Sequence, residues 1–124
     1  MASPTPGQTN LGVSPNVGGL LCYVPCCIGL IFSVVAAIVE KQSKFVRFHA
    51  FQSLLLHAAS IVIGIALVIL QLVLSVIHLG FLGLLLRLLV FVGFLGIMIF
   101  MMVKANGGEE LELPVIGDMA KKWA

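Results

Sequence analysis

The chain has 124 residues, of which 60% are hydrophobic and 10% charged, with a formal net charge of +2. A soluble domain carries charge on about a quarter of its residues, so too few polar side chains exist here to cover a water-exposed globule. The small, dispersed positive charge contains no basic run and argues against a nucleic-acid partner.

Residues 1–16 hold Pro, Gly and Thr but no lysine or arginine, which predicts a flexible tail rather than the charged start of a signal peptide. A first membrane span is expected over 17–39. Eleven Leu, Ile, Val and Phe residues lie between Gly18 and Val39, worth roughly −3 to −7 kcal/mol for insertion. Pro25 is expected to bend this helix by removing a backbone donor. Gly19, Cys22, Cys26, Gly29, Ser33 and Ala37 recur at helical steps and form a small-residue face that lets another backbone approach. Cys22, Cys26 and Cys27 have neither disulfide-framework nor metal-site spacing and read as small apolar packing residues.

The second span is expected over 54–76, where fifteen Leu, Ile and Val residues contribute about −5 to −9 kcal/mol. Its length of about 34 Å crosses a ~30 Å hydrocarbon core. Ser53, His57, Ser60 and Gly64, continued by Gln71, Ser75 and His78, make a polar stripe that must face other helices, because polar atoms in hydrocarbon need partners. The third span is expected over 81–103. It contains Arg87, the one charged residue between Arg47 and Lys104. Starting at Phe81, the helix spans with Arg87 about 9 Å below its outer end, at a cost that the apolar residues after it outweigh. A re-entrant or interfacial placement of 79–86 is left open.

Lys41, Lys44 and Arg47 lie in the loop before the second span, and Lys104, Lys121 and Lys122 follow the third. With three crossings both groups share one side, and the excess of lysine and arginine makes that side cytoplasmic. The expected topology is therefore N-terminus outside and C-terminus inside a prokaryotic cytoplasmic membrane. The domain plan is a tail at 1–16, a membrane domain at 17–104 and a cytoplasmic tail at 105–124. In fold class the chain is all-α, a three-span integral membrane bundle with a short C-terminal amphipathic segment.

Two sets of residues are candidates for function. Tyr23, His57, Gln71, Ser75 and Arg87 are the intramembrane polar and lipid-contact candidates. Gln71 and Arg87 are each eight residues from Leu79, so a hairpin centred there would let Arg87 donate to Gln71 and to the Tyr23 hydroxyl. His57 has no second histidine at its depth and reads as a packing residue, not a haem ligand. The second set is Lys44, Phe45, Arg47, Phe48, His49 and Gln52, an aromatic and basic stretch expected to anchor in the headgroup region as a cytoplasmic interface motif. After the third span, Asn106-Gly107-Gly108 predicts a helix stop. Pro114 suits the first turn of a short helix ending near Trp123, and the tail is expected to fold back onto the cytoplasmic face. The acids Glu40, Glu109, Glu110, Glu112 and Asp118 all lie at or beyond the predicted membrane ends. No catalytic, cofactor or metal site is predicted.

The Phe45-Val46-Arg47-Phe48-His49-Ala50-x-Gln52-Ser53 stretch and Leu113-Pro114-Val115-Ile116-Gly117-Asp118 after the last span resemble a family of small bacterial and archaeal membrane proteins. That family is grouped with the Tic-twenty component of the chloroplast inner-envelope import machinery, and the resemblance covers roughly residues 18–120. It implies a non-enzymatic multi-pass protein, a subunit or helper of a protein- or solute-translocating assembly. Its partners are membrane lipids and a homo-oligomer or larger complex. The chloroplast relative has four spans against the three expected here. The alternative reading is a membrane-organising or anionic-lipid-interacting protein, with the basic residues on headgroups.

Overall fold

The computed structural model describes residues 12–24 and 27–124, and its regular structure is helical throughout. The helices are α1 (Pro15–Leu21), α2 (Cys27–Val39), α3 (Lys44–Val76), α4 (Gly80–Asn106) and α5 (Ile116–Trp123). The proline bend expected at Pro25 and the place of Cys26 on the small-residue face lie outside the described residues.

The apolar run expected to cross as one helix over 17–39 is instead two short helices, and both sit at the same end of α3. Gly18 lies against Val46, and Gly19 against Phe45, His49 and Ala105. The Asn16 side chain donates to the Asn106 carbonyl across 3.1 Å. α1 thus starts level with the first turn of α3 and the last of α4. It runs inward until the Cys22 carbonyl meets Ser53. α2 then returns: Cys27 and Leu30 border the same hollow as His57 and Phe94, and the Ala37 and Glu40 carbonyls reach Arg47. With 13 residues, α2 is about 20 Å long, too short to cross a ~30 Å core. The expected separation of the N-terminal segment from the C-terminal one is corrected accordingly, because α1 and the end of α4 touch. Small residues make the close reversal feasible. A Cβ at Gly29 would collide with the Val24 backbone, so the face built from Gly19, Cys22, Gly29 and Ser33 is buried as expected, although the helix carrying it is broken.

α3 and α4 form the long antiparallel pair and, among the described residues, are the two helices whose length and composition suit a membrane crossing. At 33 and 27 residues they extend about 50 and 40 Å. α4 begins at Gly80 and is unbroken through Arg87, so 79–86 is neither re-entrant nor separate. The core is concentrated at one end, called here the polar end. α3 buries Phe45 through Leu56 in part, and α4 buries Met98, Met101 and Ala105, whereas toward the α3–α4 turn only Gly83 is buried.

Both long helices stop in the same way. At the end of α4 the Gly108 N–H donates to Ala105 and the Glu109 N–H to Lys104, with Gly108 at φ 82°. At the end of α3 the His78 N–H donates to Ser75 and the Leu79 N–H to Leu74, and His78 takes φ 62°. This six-to-one, five-to-two pattern satisfies the last carbonyls but demands a left-handed residue, which glycine supplies without a Cβ clash. Where Asn106-Gly107-Gly108 predicts the stop correctly, histidine occupies the equivalent place at the α3–α4 turn. His78→Gly should therefore stabilise the protein by about 1 kcal/mol, seen as a higher thermal midpoint in detergent; a lower midpoint would show that the histidine ring is needed there.

Candidate functional site

The aromatic and basic stretch at the start of α3 is mostly internal. Ser43 caps the helix, its hydroxyl accepting from the Val46 N–H, and the buried Glu40 carboxylate accepts from the Gln42 and Ser43 N–H groups. From that fixed start, a 3.6-residue period turns Phe45, Phe48, His49 and Gln52 toward α1 and the segment after α4, and all four are buried. Lys44 remains exposed beside Glu110 and Lys121. Arg47 is half-buried: it donates to the Ala37 and Glu40 carbonyls at 3.1 and 2.8 Å and to the Trp123 carbonyl at 3.4 Å. One guanidinium so closes the end of α2 and holds α5, while its carbon lies over the Phe51 ring, 5.3 Å from the centroid.

Behind it lies a hydrogen-bonded chain with one consistent direction. The Gln52 amide donates to the Tyr23 hydroxyl at 2.8 Å and to the Leu111 carbonyl at 2.9 Å, and its oxygen accepts from the Leu113 N–H at 2.9 Å. Having accepted from Gln52, the Tyr23 hydroxyl directs its own proton to His49 Nδ1, 2.9 Å away. His49 Nε2 then carries the ring proton and donates to the Glu109 carbonyl at 2.9 Å. The arrangement requires a neutral imidazole, since protonated Nδ1 would confront the hydroxyl proton. Phe45, Phe48 and Tyr23 meet the ring edge-on at centroid distances of 4.6, 5.1 and 5.4 Å. Burial pushes His49 down to about 4 from its ordinary 6.5, against the opposing influence of the Glu109 carbonyl.

The other polar candidates are not gathered into one site. Tyr23 belongs to the polar end, far from Arg87. Gln71 donates to the Gly80 carbonyl at 3.0 Å, and its buried oxygen has no partner. The proposed Arg87–Gln71–Tyr23 contact is therefore absent. The difference is one of register: Ser75 and Gln71 lie over Gly80, and Gln71 also packs on Gly83, so the hairpin is not symmetric about Leu79. Arg87 is exposed and opens into a groove of about 320 Å³ between α3 and α4, with Ser60, Gly64, Leu67, Val90, Phe91 and Phe94. His57 donates from Nδ1 to the Ser53 carbonyl at 2.8 Å and meets Phe94 edge-on at 5.8 Å. Ser75 bonds back to the Gln71 carbonyl at 2.8 Å. Ser53 and Ser33, by contrast, both donate to the Cys22 carbonyl, at 2.5 and 3.0 Å. They join α1, α2 and α3 at the hairpin tip. Neither serine was among the candidates, although both lay on the small or polar faces read from helical spacing.

Pro114 does not open α5. The Ile116 N–H donates to the Pro114 carbonyl at 2.7 Å, and Val115 between them has φ 65° and ψ −51°. This is a γ-turn of the rare, strained hand, held by a β-branched residue. It places Gly117 against Gln52 and Glu112, where a side chain would not fit.

The unfolded state binds a proton at His49 near pH 6.5, whereas the folded state resists it down to about 4. Stability is thus complete above pH 6.5 and falls as the pH drops toward 4, by about 3 kcal/mol at the lower limit. His49→Gln should flatten this part of the pH–stability curve measured by thermal unfolding in detergent. An unchanged acid slope in the variant would remove His49 as its source.

Residues 8–120 match the model of a family described as the magnetosome magnetite crystal formation protein family. A UPF0132 membrane protein of Methanocaldococcus jannaschii is 39% identical over 118 residues, covering 95% of this chain and 96% of the relative. A second from that organism is 32% identical, covering 91% and 72%. One from Archaeoglobus fulgidus is 33% identical, covering 86% and 92%. No solved structure matches. These findings overturn the resemblance to the chloroplast import component, to which neither the family model nor the three relatives point. The match along nearly the whole chain means that this protein belongs to the magnetosome magnetite crystal formation protein family, with archaeal membrane proteins among its relatives.

Proposed function

We propose that the chain is a non-enzymatic, membrane-organising subunit of the prokaryotic cytoplasmic membrane, crossing it twice and carrying a locked platform on one side. The observation that carries this reading is the one-sided build: hydrogen bonds through Tyr23, His49, Gln52 and Arg47 join α1, α2, α3, α5 and the segment after α4 at the polar end. α3 and α4 supply the crossings, about 54–76 and 81–103, and their outer faces are apolar. Lys41, Lys44, Lys104, Lys121 and Lys122 all belong to the polar end. Their excess over the α3–α4 turn assigns that end to the cytoplasm, where anionic headgroups attract them.

The family's name ties its members to magnetite crystal formation. For this chain, contact with lipid suits the residues better than contact with mineral. Glu40 is buried under its own loop, Glu109 pairs with Lys104 at 3.5 Å and Glu112 with Lys121 at 2.8 Å, so three of the five acids are engaged within the fold.

Tags at the two ends and an impermeant label at Gln42 should all report the cytoplasmic side, and a label at His78 the opposite one. An N-terminal tag facing away from the C-terminal tag would overturn the two-crossing topology.

A further inference from the structure

We propose that the α1–α2 hairpin makes this protein a one-leaflet wedge that bends the membrane, or gathers where it is already bent, convex toward the polar end. The inference rests on the two-crossing topology above and adds an activity to it.

Helix α4 measures the depth. Its outward apolar residues run from Phe81 to Val103, a stretch of about 33 Å that matches the hydrocarbon core. The start of α2, at Cys27 and Leu30, borders Phe91, Phe94 and Leu95, about 12 to 18 Å inside the Val103 edge and so near the middle of the core. From there α2 runs back through the near leaflet, Ser33 reaching the Cys22 carbonyl that also takes the Ser53 hydroxyl. Between that level and the near edge the protein presents α2, α3 and α4; in the far leaflet it presents α3 and α4 alone. Each helix with side chains is about 10 Å across, so the near leaflet holds about half as much helix cross-section again as the far one.

Lipid acyl chains cover the outer face of α2. Ile28, Ile31 and Ile38 are each more than 60% exposed on that face, while Gly29, Ser33 and Ala36 face inward. An apolar helix too short to cross, pinned at the basic end of the molecule, suits acyl chains beneath anionic headgroups. The wedge is also stiff. Ser33 and Ser53 both donate to the Cys22 carbonyl at the tip, and Arg47 clamps the exit through Ala37 and Glu40. A shape fixed at both ends passes its area difference to the bilayer instead of yielding to it.

The test uses the full chain reconstituted into vesicles of phosphatidylethanolamine and phosphatidylglycerol. Wild type should be enriched several-fold per unit area on small over large extruded vesicles, and vesicle diameter should fall as protein is added. Ile31→Lys should abolish both effects while circular dichroism keeps its helical signal. Trp123 is the sole tryptophan, so a Trp123→Phe/Ile31→Trp double variant reports the hairpin directly, and acyl-chain-brominated lipid should quench it strongly. Absence of quenching would mean that a partner helix or a second copy covers α2, and the proposal falls. Strong quenching without curvature preference also overturns the wedge but leaves the topology standing. Gln42 labelled on the side opposite an N-terminal tag would instead sink the topology itself.

Discussion

The structure depends on where buried polar groups find partners. In hydrocarbon, or inside a protein, an unpaired donor or acceptor costs several kcal/mol on apolar-transfer scales, and the chain settles this constraint almost wholly at one end. Gln52 satisfies its amide by bonding Tyr23, Leu111 and Leu113. The same bonds fix α1 and draw the segment after α4 across α3. Arg47 completes the closure by serving the carbonyls that end α2. Because each of these groups bonds a different element, their partners must all be present together. The hairpin, the start of α3 and the C-terminal segment therefore form one cooperative unit, with the lowest tolerance for substitution in the molecule.

The other half obeys the same constraint differently. Beyond His57, α3 and α4 are unaccompanied, and their contact uses glycine at Gly80 and Gly83 to admit Gln71 and Ser75. There the Gln71 oxygen is buried without a partner, and Arg87 stands in an open groove. A Cβ at Gly64, Gly93 or Gly96 would touch nothing within 4 Å, so these glycines loosen the pair without drawing the backbones together. Local stability follows contact density, and the α3–α4 turn should open before the polar end does.

Much of this was legible from residue order. The second and third apolar runs became α3 and α4, Asn106-Gly107-Gly108 ended α4, and the C-terminal segment folded back through Trp123, whose ring meets Phe51 at 6.0 Å. The first run misled because its apolar length measures how much lipid or protein contact a segment needs, not whether it reaches the far side. Interruption was nonetheless visible in Gly18-Gly19, Pro25 and Gly29. What spacing could not reveal was that Cys22 would find hydroxyls on both α2 and α3, which makes a reversal inside apolar surroundings affordable. The Phe45–Gln52 stretch was singled out for the right density of chemistry, but the period alone left open which side faced protein. Counting symmetrically about Leu79 failed for a related reason. A left-handed His78 ends α3 at Val76 and restarts α4 at Gly80, shifting the register by about a turn and separating Arg87 from Gln71.

Among the described residues, two non-glycines hold a positive φ, His78 and Val115, and their positions differ in consequence. His78 sits at an exposed turn, where its strain touches only the far end of the hairpin. Val115 holds the γ-turn that delivers Leu113 to Gln52 on one side and Ile116 into the core's edge on the other. A β-branched residue there costs of order 1–3 kcal/mol, and the cost is sustained because the turn's neighbours are fixed from both directions. Relaxing it would release α5 from Phe51 and Arg47, and with it one of the bonds on the guanidinium that closes α2. The strained turn at the C-terminal segment and the hairpin at the N-terminal one are thereby coupled through a single side chain, Arg47, which lets a change at either edge of the platform reach the other.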